Sequence, residues 1–184
     1  MQPMTAQPKS VTAHYSATAK TLHWLVFALI AFVGAVGLLF DEMSRGSKDI
    51  WLNIHAIIGL LILALVFVRL AWRWQNPAPP LPQGTDQFTR ITSSVVHGLL
   101  YVMMIALPLI GAVAYFYRGR SLNFGLFQLG LPIVADRAVS RPSTAIHETM
   151  AYVLFAIVGL HILAALWHHF IRKDGILRRM LPGN

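Results

Sequence analysis

The chain has 184 residues, 56% of them hydrophobic and 12% charged, with a mean hydropathy of +0.59. Soluble domains carry about a quarter charged residues, so a lipid bilayer is the expected solvent. Cys is absent, which excludes disulfides, iron-sulfur clusters, thiolate metal sites and the C-x-x-C-H attachment of c-type cytochromes. The net charge of +8 and pI near 10.5 come from basic residues between apolar runs, which points to anionic lipid headgroups and not to nucleic acid.

Residues 1–20 are polar and lack the apolar core and small-residue cleavage site of a signal peptide, so the first apolar run is expected to stay in the mature protein. Four runs have the length to cross the hydrocarbon, at residues 22–40, 51–74, 95–117 and 145–170. Pro77, Pro79, Pro80 and Pro82 make the segment after the second run a connecting loop, and Pro108 should kink the third. Residues 118–144 are too interrupted by Gly and Pro to span and are expected to fold over one mouth of the bundle. The fold class is all-α: one integral membrane four-helix bundle over 1–184.

Orientation follows from the basic residues beside the spans. With the N-terminus inside, Lys9, Lys20, Arg69, Arg73, Arg90, Arg172, Lys173, Arg178 and Arg179 fall on the cytoplasmic side. Arg45, Lys48, Arg118, Arg120, Arg137 and Arg141 fall outside, so nine against six places both termini in the cytoplasm.

Ionisable groups inside a membrane are costly and mark function by default. His23 starts the first span and His55 the second, so antiparallel helices set them in opposite leaflets. His147 and His161 lie fourteen residues apart on the fourth, nearly four turns and about 21 Å of rise, on one face at opposite depths. Depth therefore pairs His55 with His147 outside and His23 with His161 inside. Two imidazoles from facing helices suit six-coordinate b-type haem iron, giving two haem b sites for electron transfer. Gly34, Gly37, Gly59, Gly98, Gly111 and Gly159 leave room for a macrocycle, or serve ordinary close packing of membrane helices. A zinc transporter is the rival for paired histidines, but zinc sites usually add carboxylates, and Glu148 alone lies within the spans.

The segments Leu22-His23-Trp24-Leu25-Val26-Phe27, Asn53-Ile54-His55, Ile146-His147-Glu148-Thr149 and Gly159-Leu160-His161 through Trp167-His168-His169 resemble the prokaryotic cytochrome b561 family. The likeness runs from about residue 15 to 182 and is strongest to short stand-alone members that act as superoxide oxidases. It implies the same four ligands, His23, His55, His147 and His161, in a multi-pass protein of the bacterial inner membrane. It also implies periplasmic superoxide as donor, dioxygen as product and membrane ubiquinone as acceptor near the cytoplasmic face.

In that light Arg118, Arg120, Arg137 and Arg141 would attract the superoxide anion, although a solvated loop or contacts to lipid phosphates and haem propionates account for them equally well. His97 and His168 are the first candidates to bond or protonate a quinone, followed by Trp167, His169 and Lys173. Trp24, Trp167, Arg172 and Lys173 have the simpler reading of membrane anchors. Arg69 would reach a haem propionate or snorkel to the headgroups, and His14 is a surface residue. The alternative function is an electron-transfer subunit whose redox protein partner, a dehydrogenase or hydrogenase, docks on the outer loop.

Overall fold

The computed structural model describes residues 14–82 and 84–182, so Lys9 lies outside the described residues. Four long helices dominate: α1 (Ala17–Leu38), α2 (Arg45–Gln75), α3 (Gln87–Phe116) and α4 (Arg137–Trp167). All four are long and apolar enough to cross a membrane, with α4 extended by a π turn at His168–Arg172.

Each helix starts at a polar cap and not where hydrophobicity begins. The side chains of Ser16, Ser44, Asp86 and Asp136 accept from the backbone N–H groups of Ala19, Ser47, Thr89 and Ala138, filling donors that the first turn leaves open. Thr89 donates to Asp86 through both its backbone N–H and its hydroxyl, and this holds the Asp86 carboxyl below the usual carboxylate range. Hydropathy alone starts the fourth span at 145, whereas α4 begins at Arg137, eight residues earlier. Arg137 and Arg141 therefore stand on the first turns of a helix, and the loop expected over 118–144 ends at Asp136. α3 runs through Pro108 as one helix, and α4 runs through Pro142.

Sequential neighbours pack side by side, α1 on α2, α2 on α3 and α3 on α4, whereas the backbones of α1 and α4 approach less closely. A small core of Val26, Ile62 and Val66 holds the first three helices together, with Tyr101 and Met104 of α3 packed against it. Most apolar side chains point outward instead: Leu163 of α4 is 64% exposed. That is the pattern of a bundle solvated by lipid, where backbone groups are satisfied within each helix and apolar surface needs no burial.

Between α3 and α4, a two-stranded antiparallel hairpin, β1 (Leu122–Asn123) and β2 (Gln128–Leu129), closes one mouth of the bundle, called outer here after the side on which the basic-residue count sets it, and the opposite mouth inner. Asn53 of α2 fastens it. Its amide donates to the Asn123 carbonyl at 2.8 Å, and its oxygen accepts from the Asn123 N–H at 2.9 Å and from Tyr115 Oη at 3.1 Å. Leu122, 1% exposed, is thereby pressed into the bundle. The inner mouth is strapped by the C-terminal segment. Trp24 Nε1 donates to the Met180 carbonyl at 2.8 Å, Arg179 donates to the Pro80 carbonyl at 2.7 Å, and Arg172 pairs with Asp86 at 3.1 Å.

Replacing Asn53 by Ala removes three hydrogen bonds and should cost about 1–3 kcal/mol. Hydrogen exchange of the purified protein should then speed up at 122–129 with the helices unchanged; unaltered protection of the hairpin would show that Asn53 does not hold it.

Candidate functional site

The structure brings the four span histidines together in two pairs. His55 of α2 and His147 of α4 face each other at the outer end with ring centroids 6.0 Å apart, and His23 of α1 and His161 of α4 do so at the inner end at 6.4 Å. A metal ion held at about 2 Å by one nitrogen of each ring sets two imidazole centroids about 6 Å apart, so both pairs have the spacing for an ion between them. No group of three or more His, Cys, Asp or Glu that could hold a metal occurs among the described residues. Pairs alone fit an iron whose other four ligands come from a macrocycle.

The outer pair lies in a cavity of about 400 Å³ lined by Gly34, Gly37, Gly59 and Gly111 as well as the two imidazoles, with Leu122 of the hairpin as its cover. His147 Nδ1 donates to the Leu107 carbonyl at 3.0 Å, which leaves Nε2 with its lone pair free for a ligand. Gly111 lets this ring lie on α3: a Cβ there would meet His147 Cε1 at 2.8 Å. His55 Nδ1 is buried without a hydrogen-bond partner, which a protein tolerates rarely outside a binding site. Glycine floor, fixed tautomer and orphaned nitrogen all fit a haem here.

The inner end gathers more groups than expected. His97, which the sequence offered only as a quinone candidate, stands with its ring 5.2 Å from that of His161 and donates through Nδ1 to the Ser93 carbonyl at 2.6 Å. That separation is too short for an iron between the rings, so His23 remains the partner with the right spacing. Arg69 does not snorkel. It turns into the bundle, donating from Nε to Tyr101 Oη at 3.1 Å and from a terminal nitrogen to His23 Nδ1 at 3.0 Å. Arg69 follows His55 by fourteen residues, the separation of His147 and His161, so it shares His55's face at the inner depth. A neutral imidazole carries one proton, and Arg69 can only donate. His23 in this arrangement therefore holds its proton on Nε2, and ligation through Nε2 requires the guanidinium to move off.

Three of the four outer arginines come together. Arg118, Arg120 and Arg137 line a second cavity of about 410 Å³ with Tyr117, Ala135 and Ser140, and Arg141 is not part of it. Arg118 also lines the cavity of the outer imidazole pair and is common to the two. Its terminal nitrogen donates to Thr144 Oγ1 at 2.8 Å, while Arg120 pairs with Asp49 at 2.6 Å. The N-terminus of α4 adds its own positive field.

The quinone candidates do not form one group. His97 faces His161, whereas His168 sits on the π turn and hydrogen-bonds Asp174 through Nδ1. Trp167 is 56% exposed, as an interfacial anchor would be. Lys173 is the turn residue between them, at φ 52. His169 stacks edge-on against Phe170. Asp174 went unnoticed in the sequence because it lies beyond the apolar run. A carboxylate six residues after an intramembrane His was the available signal.

Four apolar helices with imidazoles paired across the bundle define the class: a membrane cytochrome of the b type, built for electron transfer. The profile of the prokaryotic cytochrome b561 family matches residues 14–183, and the chain belongs to that family, whose members bind haem b. It is similar to a probable superoxide oxidase, CybB, of Yersinia pestis, at 32% identity over 171 residues covering 91% of this chain and 96% of the relative. It is also similar to cytochrome b561 homolog 1 of Escherichia coli K12, 29% identical over 91% of this chain and 97% of that one. Cytochrome b562 of Cereibacter sphaeroides is 26% identical over 91% of this chain and 94% of its own length.

The Gly111 contact yields a direct test. Gly111→Ala should displace the His147 ring and reduce haem content in the purified protein, whereas Gly98→Ala, which meets nothing within 4 Å, should not. Equal haem content in the two variants would refute the role of the glycine floor.

Proposed function

We propose that the chain is a diheme cytochrome b that oxidises periplasmic superoxide and reduces ubiquinone near the cytoplasmic face of the bacterial inner membrane. Its residues 1–184 form one transmembrane domain with both termini cytoplasmic. His55 and His147 hold the outer haem iron, and His23 and His161 the inner. The haems supply one-electron carriers at two depths. Overall, two superoxide anions become two dioxygen molecules, and one ubiquinone takes two electrons and two protons to become ubiquinol.

The observation that carries this reading is the arginine-lined cavity, which shares Arg118 with the cavity that holds the outer imidazole pair. A small anion drawn by Arg118, Arg120 and Arg137, with Arg141 adding to the field, is delivered next to the outer iron site. At the inner end, Arg69 would leave His23 for a haem propionate, a carboxylate that suits a guanidinium, and His23 would then carry its proton on Nδ1 and present Nε2. His97 and His168, at separate points of the inner end, are the residues that would meet the quinone, with Trp167 and Lys173 beside His168. The likeness to the probable superoxide oxidase of Yersinia pestis supports the donor.

One observation favours a redox protein partner instead: the hairpin tip carries Leu126, 98% exposed, and Phe127, 61% exposed. A protein docked there would deliver electrons over the same outer pair.

Stopped-flow mixing of the purified, haem-loaded protein with superoxide decides between them. Fast haem reduction should slow as ionic strength rises, and Arg118→Gln with Arg137→Gln should slow it about tenfold at low salt. Protein that superoxide leaves oxidised would contradict the reading.

A further inference from the structure

We infer that Asp174 is a positioning residue for quinone protonation: its carboxylate holds the Nδ1 proton of His168, so that Nε2 is the nitrogen that gives its proton to the quinone. This role rests on ubiquinone being the acceptor at the inner end.

The local backbone is shaped for that contact. α4 widens into a π turn over His168–Arg172, and the chain then reverses at Lys173, whose φ of 52 and ψ of 34 are left-handed. Lys173 is the sole non-glycine residue with positive φ among the described residues, and the glycine that such a turn favours comes two positions later, at Gly175. Left-handed backbone is costly for a residue with a Cβ, and such outliers persist where the surroundings impose them, often at functional sites. Here the reversal brings Asp174 back beneath its own helix. The Asp174 N–H donates to the His168 carbonyl at 3.4 Å, Asp174 Oδ1 accepts from the Ile176 N–H at 3.2 Å, and Oδ2 takes the hydrogen bond from His168 Nδ1. Both carboxylate oxygens are used, one to fix the side chain and one to fix the imidazole.

The pair is largely shielded, with the His168 side chain 16% and the Asp174 side chain 22% exposed. His168 follows His161 by seven residues, nearly two turns and about 10 Å of rise, which sets it on a similar face below the inner imidazole pair. A neutral His with a free choice of tautomer presents either nitrogen; one whose Nδ1–H is held by a carboxylate presents Nε2 alone. The balance is simple. Ubiquinone receives two electrons from the cytochrome and two protons; one proton leaves His168 Nε2 for a quinone oxygen. The neutral ring keeps Nδ1–H on Asp174 and takes a replacement proton at Nε2 from water. The second proton also comes from water.

The test uses the haem-loaded protein, reduced beforehand and mixed with ubiquinone-1. Asp174→Asn should keep its haem spectrum and its reduction by superoxide within twofold of wild type. Reoxidation by ubiquinone-1 should slow on the order of tenfold to a hundredfold, in the maximal rate more than in half-saturation, with a larger solvent isotope effect. Asp174→Glu should recover part of the rate. Reoxidation of Asp174→Asn within twofold of wild type, or a raised half-saturation with unchanged maximal rate and isotope effect, would overturn the role. Because the variant could lose its fold, 15N-histidine spectra of the wild-type protein give a second decision, with the His168 signal assigned by difference from His168→Gln. Nδ1–H is expected, and a bare Nδ1 would overturn the proposal. Wild-type protein that ubiquinone-1 leaves reduced would instead refute the acceptor itself, before any variant is compared.

Discussion

An imidazole inside a membrane has two nitrogens to satisfy and no water to satisfy them, and the architecture follows from meeting that demand at two depths. His147 gives one nitrogen to the Leu107 carbonyl, His97 gives one to Ser93, and His23 takes a hydrogen bond from Arg69. The facing rings stand in two pairs with centroids 6.0 and 6.4 Å apart. The helices accommodate this by packing in sequence order and leaving α1 and α4 less closely joined. Glycines make the floor under the outer pair, Gly37 beside His55 and, more tightly, Gly111 beside His147. A conventional apolar core would close that seam, which is why the buried cluster is confined to Val26, Ile62, Val66 and their neighbours.

Polar contacts at the two mouths complete the arrangement, and they differ in kind. Outside, a single side chain, Asn53, clamps the hairpin through three hydrogen bonds, so Leu122 covers the outer cavity while the tip stays exposed. Inside, the C-terminal segment ties α1, the proline-rich loop and the start of α3 through Met180, Arg179 and Arg172. Electron transfer across such a bundle asks little motion of the helices. It asks that small reactants reach each end, and the two mouths are where this chain departs from a plain four-helix design.

Much of this was legible in the sequence because the two relevant periodicities are strict there. Apolar length gave the four spans, and the fourteen-residue interval between His147 and His161, set against antiparallel His23 and His55, paired the imidazoles without any structure. Helix starts were not legible from hydropathy, since caps set them: Asp136 starts α4 at Arg137, well outside the apolar run. The sequence left Arg69 two destinations, a haem propionate or the headgroups; its contacts with Tyr101 and His23 were not legible, although its fourteen-residue spacing from His55 held the information that it shares that face. His97 beside His161 and Asp174 beneath His168 depend on side-chain direction and on a reversed turn, which no pattern of hydrophobicity encodes.

The central claim is that one chain holds two haems, each between two histidines. Haem and protein assayed together on the purified protein, with low-temperature electron paramagnetic resonance of the oxidised state, test it most directly. Two b-type haems per chain, both low-spin, are expected, with His55→Ala and His161→Ala each removing one site and leaving the other. A single haem per chain, or a high-spin iron in the wild-type protein, would contradict the account.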